Sequence, residues 1–359
     1  MNLGTPALIN THQHWTIFCR VIDNHGDLGV CWRLATQLAK RQKQVTLYVD
    51  EASALQWMAP DGCEGVTVLA WADEVAVFAD PAPADVVIEA FGCDIPQTFQ
   101  AAMAAWHTAP VWINLEYFSA EDAALRNHGL PSPVMSGPAK GMTKWFYYPG
   151  LTGNSGGVMG GMTLPEASAA FESTSVEPIS ALNISLFCYE PASLGMWLQQ
   201  LNDLPQAVVL RVTAGRATQA LRQALLGWSE PPRFSIKELP YLSHSAFDAM
   251  LGEQDLNLVR GEDSLIRAIW AGKAFLWQIY PQDDGVHHAK LDAFLRASQA
   301  PEVVMQAHRA WNAEQPTPLP LLTPSNMAEW TAWAQSLQQS LQAQTDLLTR
   351  LESFVATHG

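Results

Sequence analysis

The sequence predicts an α/β protein built from two consecutive parallel sheets. Runs rich in Val, Ile and aromatic residues alternate with helical segments through the first third of the 359-residue chain. The alternation stops near Phe118 and starts again near Asn183. Strands that alternate with helices form right-handed βαβ units, and a chain of this length favours two domains of about 150 residues each. We therefore expect two Rossmann-like lobes that face a central cleft.

The elements of the first lobe follow from composition and from the residues that bound each run. A buried strand opens at Trp15, a polar turn with two glycines follows, and a helix begins near Leu28 or Gly29 and runs to Lys40. Further strands are predicted at residues 44–49, 65–71, 85–91 and 110–117, with helices at 53–58 and 97–106.

The pattern breaks down between residue 118 and about residue 180, where glycine and proline crowd into loops at 129–133 and 150–157. Loops this long are usually functional or connecting, so we place the junction of the lobes at residues 164–179. The second lobe is predicted to contain strands at 183–189, 207–212, 234–239, 256–260 and 274–280, with helices at 194–204, 216–226, 245–251 and 264–271. The lobes then cover residues 1–165 and 180–322.

The last stretch, residues 323–359, is predicted to be a helix. Thr323 is a suitable N-cap and Pro324 suits the first helical position. An apolar stripe follows at helical spacing, formed by Trp330, Trp333, Leu337, Leu341, Leu348, Leu351 and Val355. A coiled-coil or partner-binding face is one interpretation. We favour a helix that packs back across both lobes.

Composition narrows the possible functions. The net charge of −15 argues against nucleic acid as a partner, because binding phosphates requires clustered Lys and Arg. The five cysteines are scattered without a C-x-x-C pair, which is typical of buried thiols in a reducing compartment. Tryptophans such as Trp57 fall in apolar runs and are expected in the core. With neither a secretory signal nor an apolar run of about 20 residues, we expect a cytoplasmic protein without a membrane segment.

Two aspartates follow the opening strand. Asp23 and Asp27 flank the turn at its carboxyl end, where open α/β sheets place their ligand crevice. A dinucleotide site would carry G-x-G-x-x-G here, whereas this turn presents acid, which suits a proton or a cation. One aspartate can cap the following helix, but capping does not easily explain both. We predict that at least one of them is catalytic.

A similar turn follows a predicted strand of the second lobe. Arg260 ends the strand, Gly261 allows the turn, and Ser264 stands at the start of a helix. Such a helix terminus is an anion site, so it suits a diphosphate. Glu262 and Asp263 would repel phosphate and would instead bind sugar hydroxyls or the turn itself. A plain helix cap is the alternative for Asp263 or Ser264.

Two further motifs of the second lobe have alternative interpretations. Phe187 and Tyr189 end its first strand and are candidates to stack on a base or a sugar, although core packing is the usual role of such a Phe. His287-His288 resembles a metal motif, but adjacent helix residues face different directions and no third ligand is evident. A helix start is the better interpretation, and we expect no metal.

Together these blocks resemble the protein-arginine rhamnosyltransferases that modify bacterial elongation factor P, the EarP type. The similar residues are Phe18-Cys19-Arg20-Val21-Ile22-Asp23-Asn24, Gly26-Asp27, Gly29-Val30-Cys31-Trp32-Arg33, Trp112-Ile113-Asn114-Leu115-Glu116-Tyr117, Ser185-Leu186-Phe187-Cys188-Tyr189-Glu190 and Arg260-Gly261-Glu262-Asp263-Ser264. The resemblance spans nearly the whole chain in the same order. It implies a GT-B glycosyltransferase architecture with the active site between the lobes.

The resemblance also implies a reaction. The donor would be dTDP-β-L-rhamnose, held by the second lobe without a metal or another cofactor. The acceptor would be one arginine of elongation factor P, and the anomeric centre would be inverted. Asp23 would be the general base and Asp27 its essential neighbour, with Glu262 as a third catalytic residue. The donor-binding positions of the family match Phe187, Tyr189, His244, Arg260, Glu262, Asp263 and Ser264.

The sequence departs from the family at three places. Phe is usual at the position of His25, Pro-Gln is common at Ser243-His244, and Arg-Glu is expected after Gly156-Gly157. Because that Gln contacts the nucleotide, the change bears on the base-binding role of His244. The departures suggest a divergent member or an altered donor tolerance rather than a different reaction.

Three other functions fit parts of the sequence. A GT-B enzyme could transfer another sugar to a small molecule or a lipid. A protein that only binds a translation factor is disfavoured because Asp23, Asp27 and Glu262 are all retained. A nicotinamide oxidoreductase is disfavoured because neither lobe carries the glycine fingerprint.

Overall fold

The computed structural model describes residues 12–22, 25–71, 81–161, 181–282 and 285–359. The elements of the first lobe are β1 (His14–Cys19), α1 (Gly26–Lys40), β2 (Gln44–Val49), α2 (Leu55–Met58), β3 (Val66–Ala70), β4 (Val86–Ala90), α3 (Gln97–Ala105), β5 (Val111–Leu115), α4 (Asp122–Asn127), β6 (Pro131–Pro133) and β7 (Thr143–Tyr147). Its strands form one sheet in the order β3-β2-β1-β4-β5-β7-β6, in which only β6 pairs antiparallel among the described strands.

The second lobe repeats the alternation of strand and helix. Its elements are β8 (Leu182–Leu186), α5 (Leu194–Asn202), β9 (Val208–Val212), α6 (Arg216–Leu225), β10 (Ser235–Glu238), α7 (His244–Glu253), β11 (Leu256–Arg260), α8 (Gly261–Ala271), β12 (Ala274–Gln278), α9 (Val286–Ala297) and α10 (Glu302–Trp311). The five strands are parallel, in the order β10-β9-β8-β11-β12. The prediction of two mostly parallel α/β sheets is therefore confirmed.

The C-terminal stretch consists of two helices, α11 (Pro324–Gln342) and α12 (Leu347–His358), so the prediction of one continuous helix is wrong. Thr323 caps α11 as predicted, whereas Asp346 begins a new helix by accepting the Thr349 N–H at 2.7 Å. Trp330 packs into the core of the second lobe and Leu351 into the core of the first. The stripe is thus divided between the two lobes, and the chain returns to the lobe where it started.

Both sheets have one point at which the strand order reverses. In the first sheet this switch point lies between β1 and β4, and in the second it lies between β8 and β11. Ligands of open α/β sheets bind outside the carboxyl ends of the strands at such a point. The helices α1 and α8 begin directly after β1 and β11. Each lobe therefore offers one helix N-terminus to the space between the lobes.

The residues of α1 explain why this helix forms and what it covers. Leu28, Cys31, Leu34 and Leu38 recur at helical spacing and are all fully buried against the first sheet. The strands β4 and β5 are buried at every position, including the polar residues Glu89 and Asn114, as is typical of parallel strands covered on both faces.

Some predicted bounds and one predicted loop region are wrong. The helices α1 and α8 begin at Gly26 and Gly261, before the predicted starts. Elements α4, β6 and β7 lie where only loops were predicted. Strand β7, TKWFY, consists largely of residues that favour strands, but it was missed because it stands in a stretch rich in Gly and Pro that was assigned to loops. The predicted junction at residues 164–179 lies outside the described residues.

Candidate active site between the two lobes

A cavity of about 200 Å³, which we call cavity A, lies between the lobes at the two switch points. Its lining from the second lobe contains every predicted donor-binding residue, namely Phe187, Tyr189, His244, Arg260, Glu262, Asp263 and Ser264. Its lining from the first lobe includes His25, Gly26, Gly29 and Trp57. The turn after β1 and the turn after β11 thus face each other across one gap.

A second cavity of about 290 Å³, cavity B, adjoins the first. Gly26, Gly261 and Glu262 line both cavities. Asp27 and Tyr117 of the first lobe also line cavity B, where Asp27 contributes a second carboxylate beside Glu262. Two ligands bound in cavities A and B would therefore meet at Glu262 and at the start of α1.

Asp27 is held by two donors at the wall of cavity B. Its side chain belongs to the first turn of α1 and is 3% exposed. Oδ2 accepts the Ile22 N–H at 2.9 Å, and Oδ1 accepts the Tyr117 hydroxyl at 3.2 Å. Asp23, the other predicted catalytic aspartate, lies outside the described residues. Asp27 fixes the backbone at Ile22, and Ile22 immediately precedes Asp23 in the sequence.

The start of α8 shows why a glycine and a serine occupy this turn. Gly261 has a φ of +65°, a conformation that side chains with a Cβ disfavour. The Ser264 hydroxyl donates to the Arg260 carbonyl oxygen, and its Oγ accepts the Arg260 N–H at 3.1 Å. Ser264 therefore fixes the turn itself. The turn presents the N-terminus of α8 to cavity A, where the first N–H groups and the helix dipole favour an anion.

Arg260 lies over two aromatic rings of cavity A. Its Cζ is 4.5 Å from the ring centre of Phe187 and 4.7 Å from that of Tyr189. Its Nη1 donates to the Cys188 carbonyl oxygen at 3.0 Å. Such cation–π contacts fix a guanidinium without neutralising its charge. Phe187 and Tyr189 therefore support the cation as well as line the cavity.

The two carboxylates that follow Arg260 are bound by the first lobe. Glu262 Oε2 accepts the Phe118 N–H at 2.8 Å. Asp263 Oδ1 lies 2.9 Å from Arg33 Nε, an ion pair whose angle does not satisfy a hydrogen bond. Part of the repulsion that these acids would exert on a diphosphate is thus removed by contacts across the cleft.

A buried ionic cluster, formed by Arg33, Asp248, Arg267 and Asp263, joins the lobes behind cavity A. Both Asp248 oxygens accept from Arg33 of α1, at 2.9 and 3.0 Å, and from Arg267 of α8, at 2.9 and 3.0 Å. Burial acts to lower the pKa of Arg33, but Asp263 and Asp248 outweigh burial and raise it. Arg33 is the only member of the cluster that comes from the first lobe.

His244 lies at the first position of α7, beside this cluster and in the wall of cavity A. Its Nε2 is 3.5 Å from where a Cβ on Gly29 would stand, so α1 packs closely against it. Burial lowers the pKa of His244 well below its ordinary value, and the charge of Arg33 lowers it further. The imidazole is therefore neutral at neutral pH.

A neutral His244 predicts a specific pH dependence of stability. The unfolded chain takes up a proton on this side chain near pH 6.5 and the folded chain does not. The free energy of unfolding should then fall below about pH 6.5, by up to about 1.4 kcal/mol per pH unit. His244→Gln should lack this loss. The free energy of unfolding of the variant should therefore rise relative to that of the native protein as the pH falls. Urea denaturation of both proteins at neutral and mildly acidic pH measures the difference, and a constant difference would contradict the prediction.

Several residues of cavity A were not predicted to belong to a site, among them Trp57, Tyr241 and Arg216. Trp57, expected in the core, lies at the rim with its ring 4.9 Å from that of Tyr241 in the second lobe. The short helix α2 places Trp57 at the cleft, which an apolar run alone does not reveal. Arg216 also lines cavity A. The sequence could have indicated Arg216. A turn with a glycine, Gly215, leads from β9 into the helix that Arg216 begins, as the turn with Gly261 leads from β11 into α8.

Among the described residues, no group of three or more His, Cys, Asp or Glu side chains could hold a metal ion. His287 and His288 stand in the first turn of α9, which confirms the predicted helix start, and His287 Nδ1 accepts the Gln282 N–H at 3.1 Å. No helix within the described ranges is both long and apolar enough to cross a bilayer.

The whole chain is similar to one family of known proteins. Residues 15–356 match the family described as Elongation-Factor P (EF-P) rhamnosyltransferase EarP. A protein-arginine rhamnosyltransferase of Pseudomonas putida KT2440 is 39% identical over 335 residues, which cover 84% of this chain and 87% of that protein. A protein-arginine rhamnosyltransferase of Pseudomonas aeruginosa PAO1 is 40% identical over 309 residues, covering 78% and 80%.

A solved structure matches the fold over nearly the same length. It comes from work on the structural basis for EarP-mediated arginine glycosylation of translation elongation factor EF-P. The TM-score is 0.61 at 26% sequence identity, and the match covers 96% of this chain and 99% of that chain. The two facing α/β lobes are thus those of a GT-B glycosyltransferase.

Proposed function

The chain belongs to the EarP family and is a protein-arginine rhamnosyltransferase, and from this premise we propose its substrates and the roles of its residues. The donor is dTDP-β-L-rhamnose, and the acceptor is an arginine side chain of elongation factor P in the cytoplasm. The rhamnosyl group is transferred with inversion, without a metal or another cofactor.

The observation that carries this proposal is the junction of cavities A and B. Cavity A contains features suited to a nucleoside diphosphate, which are the N-terminus of α8, a fixed arginine and two aromatic rings. Cavity B contains the carboxylate of Asp27, which suits a guanidinium. Glu262 lines both cavities, which supports a donor in cavity A whose anomeric carbon lies within reach of an acceptor in cavity B.

An arginine acceptor requires nearby carboxylates. Its guanidinium is protonated at neutral pH and its lone pairs are delocalised, so it is a weak nucleophile. A carboxylate orients the planar group through paired hydrogen bonds and accepts a proton as the new bond forms. We assign the proton transfer to Asp23. Asp27 is assigned the fixed charge, because both of its oxygens accept protein donors.

The bonds and charges of the reaction balance without another reactant. A guanidinium nitrogen attacks the anomeric carbon on the face opposite the diphosphate, and the carbon–oxygen bond to the β-phosphate breaks. The electron pair of that bond leaves with dTDP, and one proton moves from the attacking nitrogen to the carboxylate. The N-terminus of α8 supplies fixed positive potential to the leaving group. Attack from the opposite face converts the β-linked donor into an α-linked product.

Mass spectrometry of intact elongation factor P tests the substrates. The folded acceptor is incubated with this protein and dTDP-β-L-rhamnose, and one deoxyhexose should be added. Peptide mapping should place the sugar on arginine, and NMR of the product should show the α anomer. An acceptor with the modified arginine replaced by lysine is the matched control and should gain no mass. A deoxyhexose on another residue type, or none on folded acceptor, would contradict the proposal.

A further inference from the structure

Arg216 is a second guanidinium at cavity A. It is the first residue of α6 and follows Gly215, whose φ of +88° makes the turn out of β9. Its Cζ lies 4.8 Å from the centre of the Tyr189 ring, and the Cζ of Arg260 lies 4.7 Å from the same centre. Tyr189 therefore brings two guanidinium groups together at a cavity that both of them line.

Glu190 holds Arg216 in this place. Arg216 Nε donates to Glu190 Oε1 at 2.8 Å, and Nη2 donates to Oε2. The side chains of Arg216 and Glu190 are 36% and 53% exposed. An ion pair open to solvent contributes little net free energy, so Arg216 can exchange part of it for another anion at small cost.

The charges around cavity A favour a polyanion next to Arg216. The two carboxylates of the lining, Glu262 and Asp263, are bound to the first lobe by the Phe118 N–H and by Arg33. In a chain with a net charge of −15, two neighbouring arginines offset the negative charge of Glu262 and Asp263 at this cavity. The planar guanidinium fork also matches pairs of phosphate oxygens.

We propose that Arg216 binds the diphosphate of the nucleotide sugar together with Arg260, and that Glu190 positions it for this contact. This assignment rests on the proposed function and names a residue of the same donor site. When the bond between sugar and β-phosphate breaks, the phosphate takes the electron pair, and Arg216 stabilises the charge that develops there. Arg216 thereby contributes both to donor affinity and to the departure of dTDP.

Calorimetric titration with dTDP and with thymidine tests this role. Arg216→Met keeps the aliphatic stem and removes the charge. Its Kd for dTDP should rise about 10- to 100-fold, because charged hydrogen bonds to phosphate are lost. Its affinity for thymidine, which has no phosphate, should stay unchanged. Arg216→Lys retains the charge without the fork and should give an intermediate Kd for dTDP.

Arg222→Met is the matched control on the same helix. Arg222 pairs with Glu238 through Nε at 3.1 Å and Nη2 at 2.6 Å, on the exposed surface. Its Kd for dTDP should equal that of the native protein. If Arg216→Met binds dTDP as tightly as Arg222→Met, the assignment of Arg216 is wrong while the proposed donor stands. If the native protein binds no dTDP, the proposed donor is wrong and the assignment falls with it.

Discussion

Asp27→Asn is expected to lower kcat for rhamnosyl transfer by about 10²- to 10³-fold while the protein stays folded, because it removes a fixed charge beside the reacting groups. Asparagine has nearly the shape of aspartate, so α1 and the wall of cavity B should keep their packing. It carries no negative charge toward an arginine acceptor. Its amide nitrogen also cannot accept a hydrogen bond, so one of the two donors that Asp27 now receives, the Ile22 N–H and the Tyr117 hydroxyl, loses its acceptor. Single-turnover transfer to elongation factor P at saturating donor measures the effect.

Asp50→Asn is the control that distinguishes two roles of Asp27, its negative charge in cavity B and its hydrogen bond to the backbone. Asp50 Oδ1 accepts the Val21 N–H at 2.9 Å, one residue before the N–H that Asp27 accepts. Both carboxylates therefore fix the same stretch of chain, but Asp27 lines cavity B. Asp50→Asn should slow transfer by less than about tenfold, because the asparagine carbonyl oxygen can still accept the Val21 N–H and at most one hydrogen bond is weakened. Equal losses in the two variants would show that Asp27 acts only through the backbone.

The fold was largely predictable because its strands and helices have distinct apolar periods. Strand β11, which is buried except at its last residue, was predicted at its observed bounds, and α6 differs only at its last residue. The predictions failed where the surroundings of an element were misleading. Strand β7 consists of residues that favour strands, but it stands among loops rich in Gly and Pro, and its pairing with β5 is a tertiary contact. Asp346 divides the C-terminal stripe because its cap begins a new helix over the other lobe.

Site residues could be predicted where they follow the carboxyl end of a strand within one lobe. Asp27 and the turn after β11 lie at switch points that strand order alone determines. Contacts across the cleft were not predictable, because they depend on how two separately folded sheets meet. Nothing in the sequence around Arg33 indicates that it pairs with Asp248, 215 positions later. Trp57 was assigned to the core for the same reason, although its partner Tyr241 belongs to the other lobe.

The ionic cluster of Arg33, Asp248, Arg267 and Asp263 joins the two lobes, so we expect its loss to have the largest effect on the free energy of unfolding. Asp248→Ala should reduce the free energy of unfolding by about 3–5 kcal/mol, because it leaves two buried guanidinium groups without their shared carboxylate. Asp248, Arg33 and Arg267 are 3%, 8% and 2% exposed, so solvent screens their charges little. Urea denaturation followed by circular dichroism at neutral pH measures the change.

Asp292→Ala is the matched control, since it removes an aspartate from an ion pair of the same length on the surface. Asp292 accepts from Arg309 Nε at 2.9 Å, but the two side chains are 37% and 50% exposed. Solvent screens such a pair, so the loss should be at most about 1 kcal/mol. A double-mutant cycle of Arg33→Met with Asp248→Ala then isolates the contact between the lobes. If Asp248→Ala costs no more than Asp292→Ala, the cluster does not hold the lobes together.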